Sequence, residues 1–285
     1  MKIEEACVGC IINQSFKVAD AIGADERLKE RLTSAVTKSS KDFSFSQTPP
    51  EVASDVYEMM AVIAGKKDLY DEVKAHSTQK ALSFVPYLQT IIDRSEDKLL
   101  TATKVAIAGN VIDLAAEVEF DLSEEIAKIF DTRFDHDDFD RLKSSLKKAK
   151  TLLVIGDNVG EHIFDYLFIE TVLKLYPSLK ISYMVRGCAI INDVTMKEAK
   201  EAGFDKLCHL VDSGVNTPGF TYNRANEESK RLFDSADLVI TKGMGNYECL
   251  SPACRKNIAY LLKVKCQVVA SSLGKEIGSI ICKMA

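Results

Sequence analysis

The sequence predicts an α/β protein, with a helical N-terminal lobe over residues 1–140 and a mainly parallel sheet interleaved with helices over residues 141–285. Two observations carry this. In the first half, apolar residues recur at three- and four-residue intervals, the period of an amphipathic helix. In the second half, short runs rich in Val, Ile and Leu alternate with helical segments, the order that builds βαβ units.

In the first half, Cys7, Ile11, Val18 and Ile22 fall on one face of a first helix. Asp25 is the predicted N-cap of a second, which continues through Leu28, Leu32, Ala35 and Val36. A third follows Thr48-Pro49-Pro50, carries Val52, Val56, Met59, Met60 and Ile63 on one side, and ends at Gly65, where glycine suits a helix C-terminus. The methionine pair reads as core. Helical pattern returns from Asp71 to Phe84, with Pro86 expected to disturb it, and from Glu96 to Ala108, ending before Gly109-Asn110.

In the second half, strands are predicted at Leu152 to Ile155, Ile181 to Val185, Leu207 to Val211, Leu238 to Thr241 and Gln267 to Ala270. Phe164, Leu167, Phe168, Val172 and Leu175 mark a crossover helix, and Thr195 with Glu198 forms a T-x-x-E capping box that opens another. The acidic stretch Asp135-His136-Asp137-Asp138 near the lobe boundary reads as a solvated connector, because short charged clusters face water.

Composition narrows the function. A chain of 285 residues, 46% hydrophobic and 28% charged, can bury a large core. Its net charge of -5 comes from carboxylates mixed with Lys and Arg, with no basic stripe for a nucleic-acid backbone. No apolar run approaches the roughly 18 to 20 residues of a membrane helix, and MKIEEACVGC lacks the order of a signal peptide, so a cytoplasmic protein is expected. The eight scattered cysteines then read as reduced thiols.

In an open α/β sheet, ligands bind beyond the carboxyl ends of the strands, so the polar residues just after each apolar run are the candidates. The first strand leads into Gly156-Asp157-Asn158-Val159-Gly160-Glu161, and the second is followed by Ile190-Ile191-Asn192-Asp193-Val194-Thr195. Asp157, Asn158 and Asp193 are hard oxygen donors of the kind that suit Mg or Mn, ions that leave positions open for phosphate oxygens. After the third strand comes Asp212-Ser213-Gly214 and after the fourth Lys242-Gly243-Met244-Gly245-Asn246-Tyr247-Glu248. There Ser213, Gly214 and Gly243 could admit a phosphate to backbone amides, with Lys242 as its clamp. Singly, each has a plain reading as cap or turn; their recurrence at successive strand ends favours a site.

Read together, C-V-G-C near the start, A-G-N-V-I-D at Ala108 to Asp113, G-D-N-V-G-E, I-N-D-V-T and K-G-M-G-N-Y-E resemble the damage-control phosphatases, also called the acidic-residue methyltransferase-like family and domain of unknown function 89. The match spans nearly the whole chain. The resemblance implies a Rossmann-like three-layer α/β/α lobe beside the helical one. It also implies a divalent metal (Mg, Mn, Co or Ni) on Asp157, Asn158 and Asp193, and hydrolysis of phosphorylated small molecules such as sugar phosphates. It further places Asn110 and Asp113 at the cleft between lobes. With Glu161 they complete the candidate substrate-binding set.

Other classes remain to be weighed. V-I-G-D-N-V-G-E has the outline of a nucleotide loop, so an S-adenosylmethionine-dependent carboxyl methyltransferase is the chief rival. However, Asp157-Asn158 crowds that loop, and Arg186 stands where an acidic residue would hold ribose hydroxyls. No G-x-x-x-x-G-K-[ST] run suggests a P-loop kinase. A non-catalytic phosphometabolite-binding protein would keep the pocket without turnover. Cys7 and Cys10 put two sulfurs on one helix face, as a redox dithiol or half a zinc site that Cys249 and Cys254 could complete, or simply as buried apolar thiols. His162 has no carboxylate partner at evident spacing and is not counted as a catalytic base.

Overall fold

A computed structural model of the chain describes residues 1–111, 134–251 and 257–285, without the side chains of residues 110 and 111. The first three helices, α1 (Glu5–Ala21), α2 (Glu26–Ser39) and α3 (Pro49–Ala64), form a bundle around Ile11, Val18, Leu32, Val36, Val56 and Met60. Their ends follow local chemistry. Asp25 accepts from the Leu28 amide at 2.7 Å, Thr48 and Glu51 close a capping box, and Gly65 turns left-handed at φ 67°.

Two helices run further than their sequence punctuation predicts. α4 (Asp71–Arg94) passes through Pro86. The proline leaves the Leu82 carbonyl without its helical partner, and Leu82 is half exposed, so water can take that acceptor. α5 (Lys98–Val111) continues through Gly109. There the missing side chain serves packing, because a Cβ would lie 2.8 Å from Glu161 Cγ and 2.9 Å from Glu161 Cα.

The remaining elements are β1 (His136–Asp137), α6 (Phe139–Lys148), β2 (Thr151–Ile155), α7 (Glu161–Leu175), β3 (Lys180–Val185), α8 (Met196–Glu201), α9 (Phe204–Leu207), β4 (His209–Asp212), α10 (Glu227–Ser235), β5 (Leu238–Lys242), α11 (Gly243–Leu250), β6 (Ile258–Lys263), α12 (Gln267–Leu273) and β7 (Ile280–Met284). The seven strands form one sheet in the order β1-β7-β6-β5-β2-β3-β4. Every pair is parallel except β6 with β7. Alternate residues of β2 face opposite layers. Leu152 and Val154 join a cluster with α4, α5 and α7, while Leu153 and Ile155 join one with Phe220, Phe233, Tyr247 and Leu250. The chain is therefore a three-layer α/β protein with a mostly parallel sheet. Helices from before and after residue 140 share the first of those clusters.

Three expected elements are corrected. Residues 267–270 are helical: Cys266 Sγ accepts from the Val269 amide at 3.5 Å, and Gly274 ends the turn left-handed. Leu207 ends α9, and the strand begins at His209. The acidic stretch is an edge of the sheet rather than a free connector. His136–Asp137 pairs with β7, Asp135 accepts from the Ile280 amide at 2.7 Å, and Asp138 accepts from the Met284 amide at 2.9 Å.

Candidate active site at the sheet switch point

From β2 the chain winds outward through β3 to β4, then returns to the other side of β2 as β5. The carboxyl ends of β2 and β5 thus flank the point where winding reverses, where an open α/β sheet leaves a crevice. Asp157 and Asn158 follow β2, and Lys242 and Gly243 lie at the end of β5. The two ends touch so closely that a Cβ on Gly243, at φ 74°, would overlap the Asp157 carboxylate.

The loop after β3 is pinned to the loop after β2. Val194 N–H donates to Asp157 O at 2.8 Å, Val159 N–H donates to Asn192 O at 2.8 Å, and Asn158 pairs with Asp193 as an isolated bridge. Asp193, 35 residues after Asn158, therefore meets the adjacent pair Asp157 and Asn158 on one rim. Beside them Ile191 holds φ 46°, a left-handed conformation costly for a β-branched residue. The rim opens on a cavity of about 490 Å³. Cys7, Cys10 and Ile11 of α1, Pro49, Ala53 and Tyr57 of α3, Met244 and Glu248 of α11, and Lys265 and Cys266 before α12 complete its wall. Lys265 is the one cationic side chain among the described lining residues.

Behind the rim lies a buried ionic cluster. Lys242 Nζ donates to Glu161 Oε1 at 2.5 Å, Asp165 Oδ1 at 2.7 Å and Ala106 O at 2.8 Å. Tyr183 donates its hydroxyl to Asp165 at 3.0 Å, and Asn158 Nδ2 donates to Asp157 at 2.7 Å and Glu161 at 3.3 Å. Arg186 Nε donates to Asp193 at 2.7 Å, with its Nη2 3.5 Å from Asp157 Oδ1. Burial lifts the Asp157 carboxyl well above the usual range; Asp193 and Glu161 push the same way, against Arg186 and Lys265. Burial also lifts Asp193 to about 6 despite Arg186, and Asp165 to about 6 despite Lys242. For Lys242, burial pulls the ammonium down, but Asp165 and Glu161 outweigh it and hold it above the ordinary lysine value.

The structure thus brings Asp157, Asn158, Asp193 and Gly243 together at the rim, with Glu161 and Lys242 directly behind and Lys242 turned to the carboxylates rather than the cavity wall. It does not bring Ser213 and Gly214 there. Ser213 Oγ accepts from the Val215 amide at 3.3 Å, and Gly214, at φ 72°, donates its N–H to Asp212 at 2.8 Å. Asp113, Cys254 and the Asn110 side chain lie outside the described residues. Cys7 and Cys10 share the cavity wall with Cys266 rather than with Cys249. His162 is buried, and burial depresses its imidazole to about 4, which leaves it neutral near pH 7. Sequence reasoning missed Asp165 and Lys265. It took Arg186 only as an obstacle to ribose binding, although a charged residue ending the otherwise apolar run S-Y-M-V was a signal.

The rim supplies carboxylate and carboxamide oxygens, a set that fits a hard divalent cation. Among the described residues, no group of three or more His, Cys, Asp and Glu is spaced to hold a metal.

Fold and site together define a doubly wound α/β protein with a carboxylate-rimmed ligand cavity at its switch point. The family model of the damage-control phosphatase ARMT1-like domain matches residues 3–281. The chain belongs to that family. It is 30% identical to a damage-control phosphatase of Archaeoglobus fulgidus, over 100% of this chain and 99% of the relative. It is also 30% identical to a damage-control phosphatase of Pyrococcus horikoshii, over 99% and 98%. The crystal structure of a DUF89 family protein from P. horikoshii superposes with a TM-score of 0.92, covering 100% of this chain and 99% of that one.

Proposed function

We propose that this chain is a divalent-metal-dependent phosphomonoester hydrolase acting on small phosphorylated metabolites, such as sugar phosphates or related damaged metabolites. The observation that carries the reading is the meeting of Asp157, Asn158 and Asp193 on one rim of a metabolite-sized cavity. Asp157, Asn158 and Asp193 would hold Mg, Mn, Co or Ni. When bound, such an ion supplies Lewis-acid polarisation of the phosphoryl group and of a water.

The chain's own residues do the rest. Lys265, exposed on the cavity wall and close enough to Asp157 to lower its proton affinity, meets the negative charge of the arriving phosphoryl group. Lys242 holds Glu161, and Glu161 with Asp157 accepts from Asn158 Nδ2, which turns the carboxamide oxygen away from both carboxylates. The apolar wall of Ile11, Pro49, Ala53 and Val268 excludes water from one side of the substrate. At the end of β3 stands Arg186, bound to Asp193, where a ribose-binding carboxylate would favour the methyltransferase reading. Members of the family named for phosphatase activity at 30% identity support the hydrolase.

The test is release of inorganic phosphate from a panel of phosphometabolites by the purified chain, with and without each divalent ion. Turnover that appears with an ion and disappears in chelator supports the assignment. Phosphate release that persists undiminished in chelator, or its absence with every ion, overturns it.

A further inference from the structure

Arg186 follows the buried end of β3, Tyr183-Met184-Val185, and is 1% exposed, an expensive place for a permanent charge. Its Nε donates to Asp193 Oδ2 at 2.7 Å and its Nη1 to Gly156 O at 3.2 Å. Its Nη2, buried and without a hydrogen-bond partner, lies 3.5 Å from Asp157 Oδ1. The backbone also fixes the residue, since Arg186 N–H donates to Val194 O at 2.9 Å and Arg186 bridges to Thr195. The guanidinium is therefore wedged against both acidic side chains of the rim, tightly on one and loosely on the other, with donor capacity left over.

We propose that Arg186 is a positioning residue that acts as the resident counter-charge of the Asp157–Asp193 pair and competes with the metal for it. The inference rests on the metal-dependent reading above. Without the ion, Arg186 supplies positive charge 2.7 Å from Asp193 and 3.5 Å from Asp157 and keeps both carboxylates on the cavity rim. When a dication arrives, the same carboxylates are neutralised and the arginine loses part of its attraction while gaining a repulsion. By linkage, a group that favours the metal-free state more than the metal-bound state lowers metal affinity. Arg186 thus holds the site in shape and keeps its cation exchangeable.

Arg186→Gln keeps a hydrogen-bonding side chain and removes the charge, whereas Arg186→Lys keeps the charge and loses the fork. Mn2+ binding is measured for both and for the wild type by titration followed by electron paramagnetic resonance, with thermal unfolding in chelator and in saturating Mn2+. The glutamine variant is expected to bind Mn2+ at least about tenfold more tightly, while the lysine variant stays within about threefold of the wild type. Unfolding in chelator should occur at lower temperature for the glutamine variant, with a larger gain from Mn2+. A purely structural role would loosen Asp193 and weaken the ion, so unchanged or weaker binding by the glutamine variant overturns the proposal. Should that variant fold only with metal present, purification in Mn2+ and unfolding at graded Mn2+ read the same cycle, and a metal stabilisation no larger than wild type overturns it. A wild-type protein that binds no Mn2+ at millimolar concentration instead overturns the metal reading itself.

Discussion

Gly243→Ala isolates the contact that joins β5 to the rim. Gly243 has φ 74°, and a Cβ there would overlap the Asp157 carboxylate. Two costs follow, and a control separates them. The left-handed backbone costs an alanine about 1–2 kcal/mol relative to glycine, which for a chain of this size is roughly 2–4 °C in Tm. The overlap demands that the carboxylate retreat by about 1 Å, and misplacement on that scale lowers turnover by about 100-fold. Gly274→Ala serves as the control, because Gly274 has φ 62° with nothing within 4 Å of a built Cβ. Gly274→Ala should show the backbone cost alone, whereas Gly243→Ala should lose up to about 1–3 kcal/mol more from overpacking, and only Gly243→Ala should lose phosphate release and Mn2+ affinity. Equal activity in the two variants would show that Asp157 need not occupy its observed position, and would refute the assignment of the rim.

Further outcomes follow from the same geometry. Asp157→Ala and Asp193→Ala should each nearly abolish phosphate release while circular dichroism remains native, because they empty the rim and spare the core; retained turnover in both would refute the assignment. Gly109→Ala should destabilise the protein by about 1–3 kcal/mol in urea despite alanine's better helix propensity, since its methyl meets the backbone of Glu161; stabilisation would mean that α5 sits further from α7. Burial raises Glu248 to about 7, so the folded state binds that proton more tightly than the unfolded state. Stability from this group is present below about pH 4.5 and is lost as pH rises toward 7. Glu248→Gln should therefore raise stability at pH 8 by about 1–2 kcal/mol, after allowance for partial exposure, and change little at pH 4; an equal effect at both pH values would sink this account.

The sequence made the rim legible because its chemistry is local in code. Asp157-Asn158 and Asp193 each follow a strand whose apolar run is easy to see, and the strand-end rule needs no knowledge of strand order. Lys242 was recognisable as a strand-end cation, but not as the partner of Asp165, which lies within a helix among apolar neighbours and looks like an interruption of a core face. β6 and β7 escaped because I-A-Y-L-L-K and I-I-C-K-M are short apolar runs that periodicity cannot separate from buried helix. Residues 267–270 were misread for the converse reason: two adjacent valines suggested a strand, whereas Cys266 and Gly274 cap a helical turn. Gly109 shows the limit of punctuation rules, since the residue that ends helices elsewhere here lets α5 approach Glu161.

The arrangement of charge explains why the rim can be both buried and ready for a ligand. Glu161 and Asp165 share Lys242, which bonds Glu161 at 2.5 Å and Asp165 at 2.7 Å, so they form a tightly held ionic floor. Asp157 and Asp193 share Arg186, which reaches Asp193 at 2.7 Å and Asp157 at 3.5 Å. Each pair of carboxylates thus shares one cation, but only Asp157 and Asp193 line the cavity, where a ligand can supply the missing charge. A monocation on the wall, Lys265, can lessen that shortfall, but a dication coordinated between hard oxygens removes it while leaving positions for phosphate.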